Sequence, residues 1–233
     1  DGKNIVRYEL ARREYLGFAR NTVKESSLYD FIHTAKKHYD DFFAGRDMQT
    51  VTKQDIIEWQ DQLWAKTYRG KLYTQKTLTK IYGQFTVFYS WCVEHYGLDD
   101  ALKGVKMPKR KDNKEPRQIW TEAEFERFIA SVDNLRYRAI FTALFYCGCR
   151  VGELQALRST DYDGQQFYIH GTLTRKTMDG SPYRITETKN YKSRFVPLPD
   201  KAKIVVDSWI AQKTKTYMQT YRKYKQPLST SCV

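Results

Sequence analysis

The chain has 233 residues, with 40 Lys and Arg against 27 Asp and Glu, for a formal net charge of +13. Hydrophobic residues make up 41% and charged residues 29%, the composition of a soluble globular protein with one large or two small domains. No apolar run is long enough to span a bilayer and no secretory signal opens the chain, so a membrane role has no support, whereas the cationic surplus favours a polyanionic partner.

Cys92, Cys147, Cys149 and Cys232 lack paired zinc-type spacing, and His33, His38, His95 and His170 are scattered. No metal site is expected. Cys92 and Cys147 read as small buried hydrophobes, and a reducing, cytoplasmic setting is expected.

Residues 5–19 read as a helix with Tyr8, Tyr15, Leu16 and Phe18 inward. Ser27-Leu28-Tyr29-Asp30 fits a capping box opening a helix that buries Leu28, Phe31, Ile32, Ala35, Tyr39 and Phe42 and ends at Gly45. Thr52-Lys53-Gln54-Asp55 is a second such box, with Ile56, Trp59, Leu63 and Trp64 behind it. Arg69-Gly70-Lys71 breaks the chain. A helix over about 74–96 then buries Leu78, Ile81, Phe85, Phe88 and Cys92. Residues 1–102 are therefore expected to form a small all-α domain.

The start of that last helix is basic and hydroxylated, at Lys71, Thr74, Gln75, Lys76, Thr77 and Lys80. Backbone N–H groups at a helix start with lysines nearby suit phosphate contact; a solvated lysine face is the equal alternative. Residues 103–117 read as a linker, with Lys106, Lys109, Arg110 and Lys111 as candidate DNA contacts, Pro108 and Pro116, and few apolar residues. A cationic strap between two domains can close around a duplex, though an ordinary disordered linker has a similar composition.

Thr121-Glu122-Ala123-Glu124 is a third capping box and opens a second domain, 118–233, burying Phe125, Phe128, Ile129 and Val132. A helix over 137–146 leads into Leu144–Leu157, where Leu144, Phe145, Val151, Leu154 and Leu157 mark one buried face interrupted by Gly148. Strand patterns follow. Asp163-Gly164 and Asp179-Gly180 mark turns, and residues 183–188 and 194–198 are expected to pair as a hairpin with Lys189 at or beside its tip. A helix with Ala202, Ile204, Val205, Trp209 and Ile210 comes after Pro199, and the tail from Tyr217 is polar.

Arg150 follows the helix break among small and apolar neighbours, where a guanidinium needs an anion or a carboxylate to meet it. Glu153 lies one turn on and could supply it, which taken alone is a structural ion pair. The second informative stretch is Thr188-Lys189-Asn190-Tyr191-Lys192-Ser193-Arg194-Phe195-Val196-Pro197-Leu198. Together, the Gly-x-Arg-Val-x-Glu-Leu-x-x-Leu box and the Thr-Lys turn leading to Ser-Arg-x-Val-Pro-Leu resemble the tyrosine recombinase (phage integrase) family. The long inserted hairpin looks most like the integrases of conjugative transposons.

The resemblance implies a mainly α fold with a small antiparallel β-sheet. A helical, SAM-like core-binding domain would precede an α+β catalytic domain, the two forming a C-shaped clamp. It implies a site-specific DNA recombinase of a mobile element, acting on double-stranded DNA in the bacterial nucleoid without a cofactor. The reaction would run through a 3′-phosphotyrosine and a Holliday junction, in a tetramer. By the resemblance, Arg150 binds the scissile phosphate and Lys189 is the general acid toward the leaving 5′ hydroxyl. Glu153 supports the site, and Lys192 and Arg194 are backbone contacts, with Lys192 the fallback lysine.

All four histidines lie at or before His170, and Tyr217, Tyr221 and Tyr224 come too early in the pattern to be the nucleophile. The resemblance therefore implies that the chain stops before the His-x-x-Arg box and the nucleophilic tyrosine, so that this polypeptide does not cut DNA alone. The other reading is a non-catalytic DNA-binding protein that keeps the integrase scaffold.

Overall fold

The computed structural model describes residues 5–111, 118–188 and 191–224, with side chains through residue 219. The chain divides into two units, Asp1–Glu115 and Pro116–Val233.

The first unit holds α1 (Tyr8–Thr22), α2 (Glu25–His38), the single-turn α3 (Asp40–Phe43), α4 (Lys53–Ala65) and α5 (Gln75–Tyr96). The box at Thr52 caps α4: Thr52 Oγ1 accepts from Asp55 N, and the Asp55 carboxylate accepts from Thr52 N at 2.8 Å. Thr74 caps α5 by accepting from Thr77 N. The expected box at Ser27 does not form. Helix α2 starts earlier, after Lys24 and without a side-chain cap, so Ser27 to Asp30 lie inside it. The break at residues 69–71 is a two-residue hairpin turn between strands β1 (Thr67–Tyr68) and β2 (Lys71–Leu72).

Aromatic rings fill this core. Phe85 is fully buried, with ring centroids of Trp59 at 4.5 Å, Phe43 at 4.8 Å and Tyr39 at 5.3 Å. Such rings carry large buried area and gain further from edge-to-face and offset contacts. Phe18, expected inside, is half exposed and instead flanks Trp91 at the surface. The stretch expected to be a free strap folds back over its described part. Leu102, Val105 and Met107 pack against this core, and the Arg110 guanidinium lies 4.1 Å from the Trp64 ring.

In the second unit, the box at Thr121 caps α6 (Glu122–Ala130), whose Phe125 stacks 3.9 Å from Phe145 of α7 (Leu135–Cys147). Helix α8 (Val151–Ala156), strands β3 (Gln166–Ile169), β4 (Gly171–Thr174), β5 (Arg184–Glu187) and β6 (Arg194–Pro197), and α9 (Asp200–Tyr224) complete it. Helix α9 continues through the polar stretch read as a tail. Its Ala202 and Val206 are buried, whereas Ile204 faces outward.

The expected hairpin of residues 183–188 with 194–198 does not form. Strand β5 pairs antiparallel with β4, and β6 with β3. Sequence-adjacent strands were the local choice, but β6 gains more by placing Val196 opposite Phe167 on the core side.

The aromatic cluster sets the first unit's stability. Phe85→Ala is expected to lower the unfolding free energy by about 3–5 kcal/mol. Urea unfolding followed by tryptophan fluorescence measures this, and a loss below about 1 kcal/mol would contradict the packing described.

Candidate nucleic-acid interface and phosphate site

Helix α7 ends at Gly148, which takes φ +57°, a left-handed conformation suited to glycine, and donates its N–H to Leu144 O. The chain turns there, so the apolar face expected over 144–157 is split. Leu154 and Leu157 are buried, while Val151 is exposed. Arg150 stands at the N-cap of α8, two residues after the break.

Glu153 is 1% exposed and gathers four N–H donors from two arginines. Arg150 N donates to one carboxylate oxygen at 2.9 Å and the Arg150 guanidinium to the other at 2.7 Å. The other two come from Arg194, whose guanidinium meets the carboxylate at 2.7 and 3.3 Å. Paired hydrogen bonds of this kind fix a guanidinium's plane as well as its position. The Arg194 contact, assisted by the Arg150 bonds, holds the Glu153 carboxyl down to about 2, against burial that pushes it up. The two side chains remain 62% and 39% exposed, so their outer N–H groups face solvent. Two positive charges on one buried negative charge leave an outward excess of about +1, an anion-binding arrangement.

Gly152 explains how α8 reaches this position. A Cβ there would come within 2.6 Å of Thr172 Oγ1 and 2.9 Å of the Leu173 carbonyl oxygen of β4. Only a residue without a side chain lets the helix lie this close to the strand. The sequence reading passed over this glycine; its place between Arg150 and Glu153 was the available signal.

Strand β6 begins at Arg194, opposite Ile169 of β3. Before it, Tyr191 N donates to Thr188 O at 3.0 Å and Thr188 Oγ1 to Lys192 O at 2.8 Å. Thr188 is buried and Lys192 exposed. Lys189, the expected general acid, lies outside the described residues. The structure thus joins Arg150, Glu153 and Arg194 directly, the last of which was expected only as a backbone contact. Cys149, next to Arg150, is buried, and burial pushes its thiol up. Among the described residues no group of His, Cys, Asp and Glu could hold a metal ion, and no helix is long and apolar enough to cross a membrane.

In the first unit, Lys71, Thr74, Lys76 and Lys80 are exposed around the start of α5, with Thr77 half-buried beneath Thr74. Gln75 is engaged, accepting from Arg110 N and donating to Thr79 Oγ1. Arg110 is turned inward, donating to the carbonyls of Tyr73 and Trp64, while Lys106, Lys109 and Lys111 stay exposed.

The model of the Phage integrase family matches residues 118–233. The chain belongs to that family. It is 25% identical over 178 residues to the ICEBs1 integrase of Bacillus subtilis, spanning 74% of this chain and 46% of that protein. It is 24% identical over 173 residues to a tyrosine recombinase of Thermosipho africanus, spanning 72% of this chain and 55% of the relative. The chain spans about half the length of these curated relatives. Its fold is similar to that of the Tn1549 transposon integrase solved with a circular intermediate DNA, at TM-score 0.69 and 18% identity over 86% of this chain and 65% of that one. It is also similar to a lambda integrase tetramer bound to a Holliday junction, at TM-score 0.65 and 14% identity over 89% and 57% of the two chains.

The depressed Glu153 carboxyl contributes stability that is present above about pH 4.5 and lost as pH falls toward 2. Its share is on the order of 3 kcal/mol. Glu153→Gln should remove it, so wild type and variant should converge in urea unfolding at pH 2 and diverge at pH 6. A constant difference across that range would contradict the pairing. Gly152→Ala should cost about 1–3 kcal/mol in the same measurement, because the Leu173 carbonyl must move.

Proposed function

We propose that this chain is the DNA-gripping and phosphate-activating part of a site-specific recombinase of a mobile genetic element. The observation that carries the proposal is the pair of guanidiniums, Arg150 and Arg194, fixed over the buried Glu153 carboxylate with their outer N–H groups free to meet an anion.

Cutting and rejoining a DNA strand passes through a phosphorane-like state with extra charge on the non-bridging oxygens. A planar, permanently charged fork at Arg150 stabilises that charge without reorganising, because Glu153 has set its orientation in advance. Arg194 adds a second cation to the same phosphate. Lys189 delivers the proton to the departing 5′ oxygen, with Lys192 beside it as a backbone contact. Lys71, Thr74, Lys76, Thr77 and Lys80 of the first unit, with Lys106, Lys109 and Lys111, meet other phosphates; Gln75 and Arg110 act behind them by holding the strap to α5. The strand is carried as a 3′-phosphotyrosine, and exchange proceeds through a Holliday junction in a tetramer. No tyrosine of α9 is given the nucleophile's part. The second reading, a DNA binder that never cuts, leaves the paired arginines without a task.

In the intact recombinase, Arg150→Ala should reduce covalent protein–DNA adduct on a nicked recombination-site duplex by at least about 100-fold, the usual cost of one transition-state donor. Duplex affinity, read by gel shift, should change little. Normal adduct yield would refute the role of Arg150, and absence of adduct from the wild-type recombinase would favour the binder.

A further inference from the structure

A groove in the first unit lies between the end of α2, the β1–β2 hairpin and the first turn of α5. Lys37, His38, Tyr68, Arg69, Lys71 and Thr74 line it, and among the described residues that line it none is acidic. The exposed Tyr68 ring carries two cations, Lys37 Nζ and Arg69 Cζ each lying 5.3 Å from its centroid. Lys66 adds a third, its Nζ donating to the Lys37 carbonyl at 3.1 Å. His38 Nδ1 is buried without a partner. Burial, with Lys66 and Lys37 nearby, lowers the His38 ring to about 4 and keeps it neutral. Like charges gathered without a counter-ion repel one another, and an outside anion relieves that repulsion.

Arg69 supplies the independent observation. It occupies the first turn position of the two-residue hairpin with φ +52°, followed by Gly70 at φ +75°. Two positive φ values in succession define a turn that favours Asn or Gly at that position. An arginine there is held in a backbone conformation that costs stability, and strained positions of this kind cluster where a side chain serves a ligand.

We infer that this groove holds a backbone phosphate of double-stranded DNA, with Arg69 and Lys37 as its direct contacts and Tyr68 as the ring that spaces them. The inference rests on the DNA-binding reading above, and extends the contact surface from the start of α5 to the hairpin and the end of α2. A phosphate is the fitting anion because it accepts from several donors at once, here two cations and the hydroxyl of Thr74. The backbone is recognised in this way regardless of base sequence.

The test is a salt titration of duplex binding by the 233-residue chain, read by fluorescence anisotropy, for wild type, Arg69→Asn, Lys37→Gln and the double variant. Loss of this one phosphate contact should flatten the slope of log affinity against log salt by about 0.9 in the double variant, with each single variant giving part of that change. Arg69→Asn should melt at or above the wild-type temperature, since asparagine suits the left-handed turn, so weaker binding by that variant is not a folding defect. If wild type binds with a steep salt slope and neither variant flattens it, the groove inference is overturned while the DNA reading stands. If wild type shows no salt-dependent duplex binding, the DNA reading itself fails.

Discussion

One buried carboxylate organises the second unit. Glu153 sits at the start of a short helix, yet its two oxygens tie together a helix N-cap, the side chain of Arg150 and the first residue of β6. A buried charge is costly unless every lone pair is used, and here four N–H donors use them. The carboxylate therefore cannot be neutralised without releasing two guanidiniums at once. The break at Gly148, the close approach at Gly152 and the pairing of β6 with β3 all serve to bring those groups to that one acid.

The two units reach order by different means. The first is built on rings: Phe85 is surrounded by Trp59, Phe43 and Tyr39, and α1, α2, α4 and α5 all contribute buried side chains to that cluster. The second has a leaner apolar core of Leu154, Leu157, Phe167 and Ile169 with Ala143 and Ala202, and its functional edge is polar.

Much of this was legible in the sequence where the signal is local. The boxes at Thr52 and Thr121 are read from four residues, and four residues determine them. The same pattern at Ser27 failed because α2 is fixed by burial of Leu28 and Phe31 and can begin at Glu25 without a cap. Strand partners could not be read, since pairing depends on residues far apart in the chain: β6 chose β3 over its nearer neighbour β5. Arg150 and Glu153 were readable as an i, i+3 pair, but the third member, Arg194, lies 41 residues from Glu153, and only the fold shows the three sharing one acid. The strap's composition gave its charge and hid its inward-facing arginine, because a stack on Trp64 leaves no periodic trace.

The two strand pairs of the second unit carry a further consequence. From Ile169 to Gly171 one side advances two steps, while from Glu187 to Arg194 the other advances seven. Of the described residues between the two strands, Thr188 is tied to Lys192 through its hydroxyl, and neither residue belongs to either pairing. Chain length there is uncoupled from strand register. Evolution can lengthen, shorten or re-letter this connection without disturbing Arg194, which is anchored on the strand that follows.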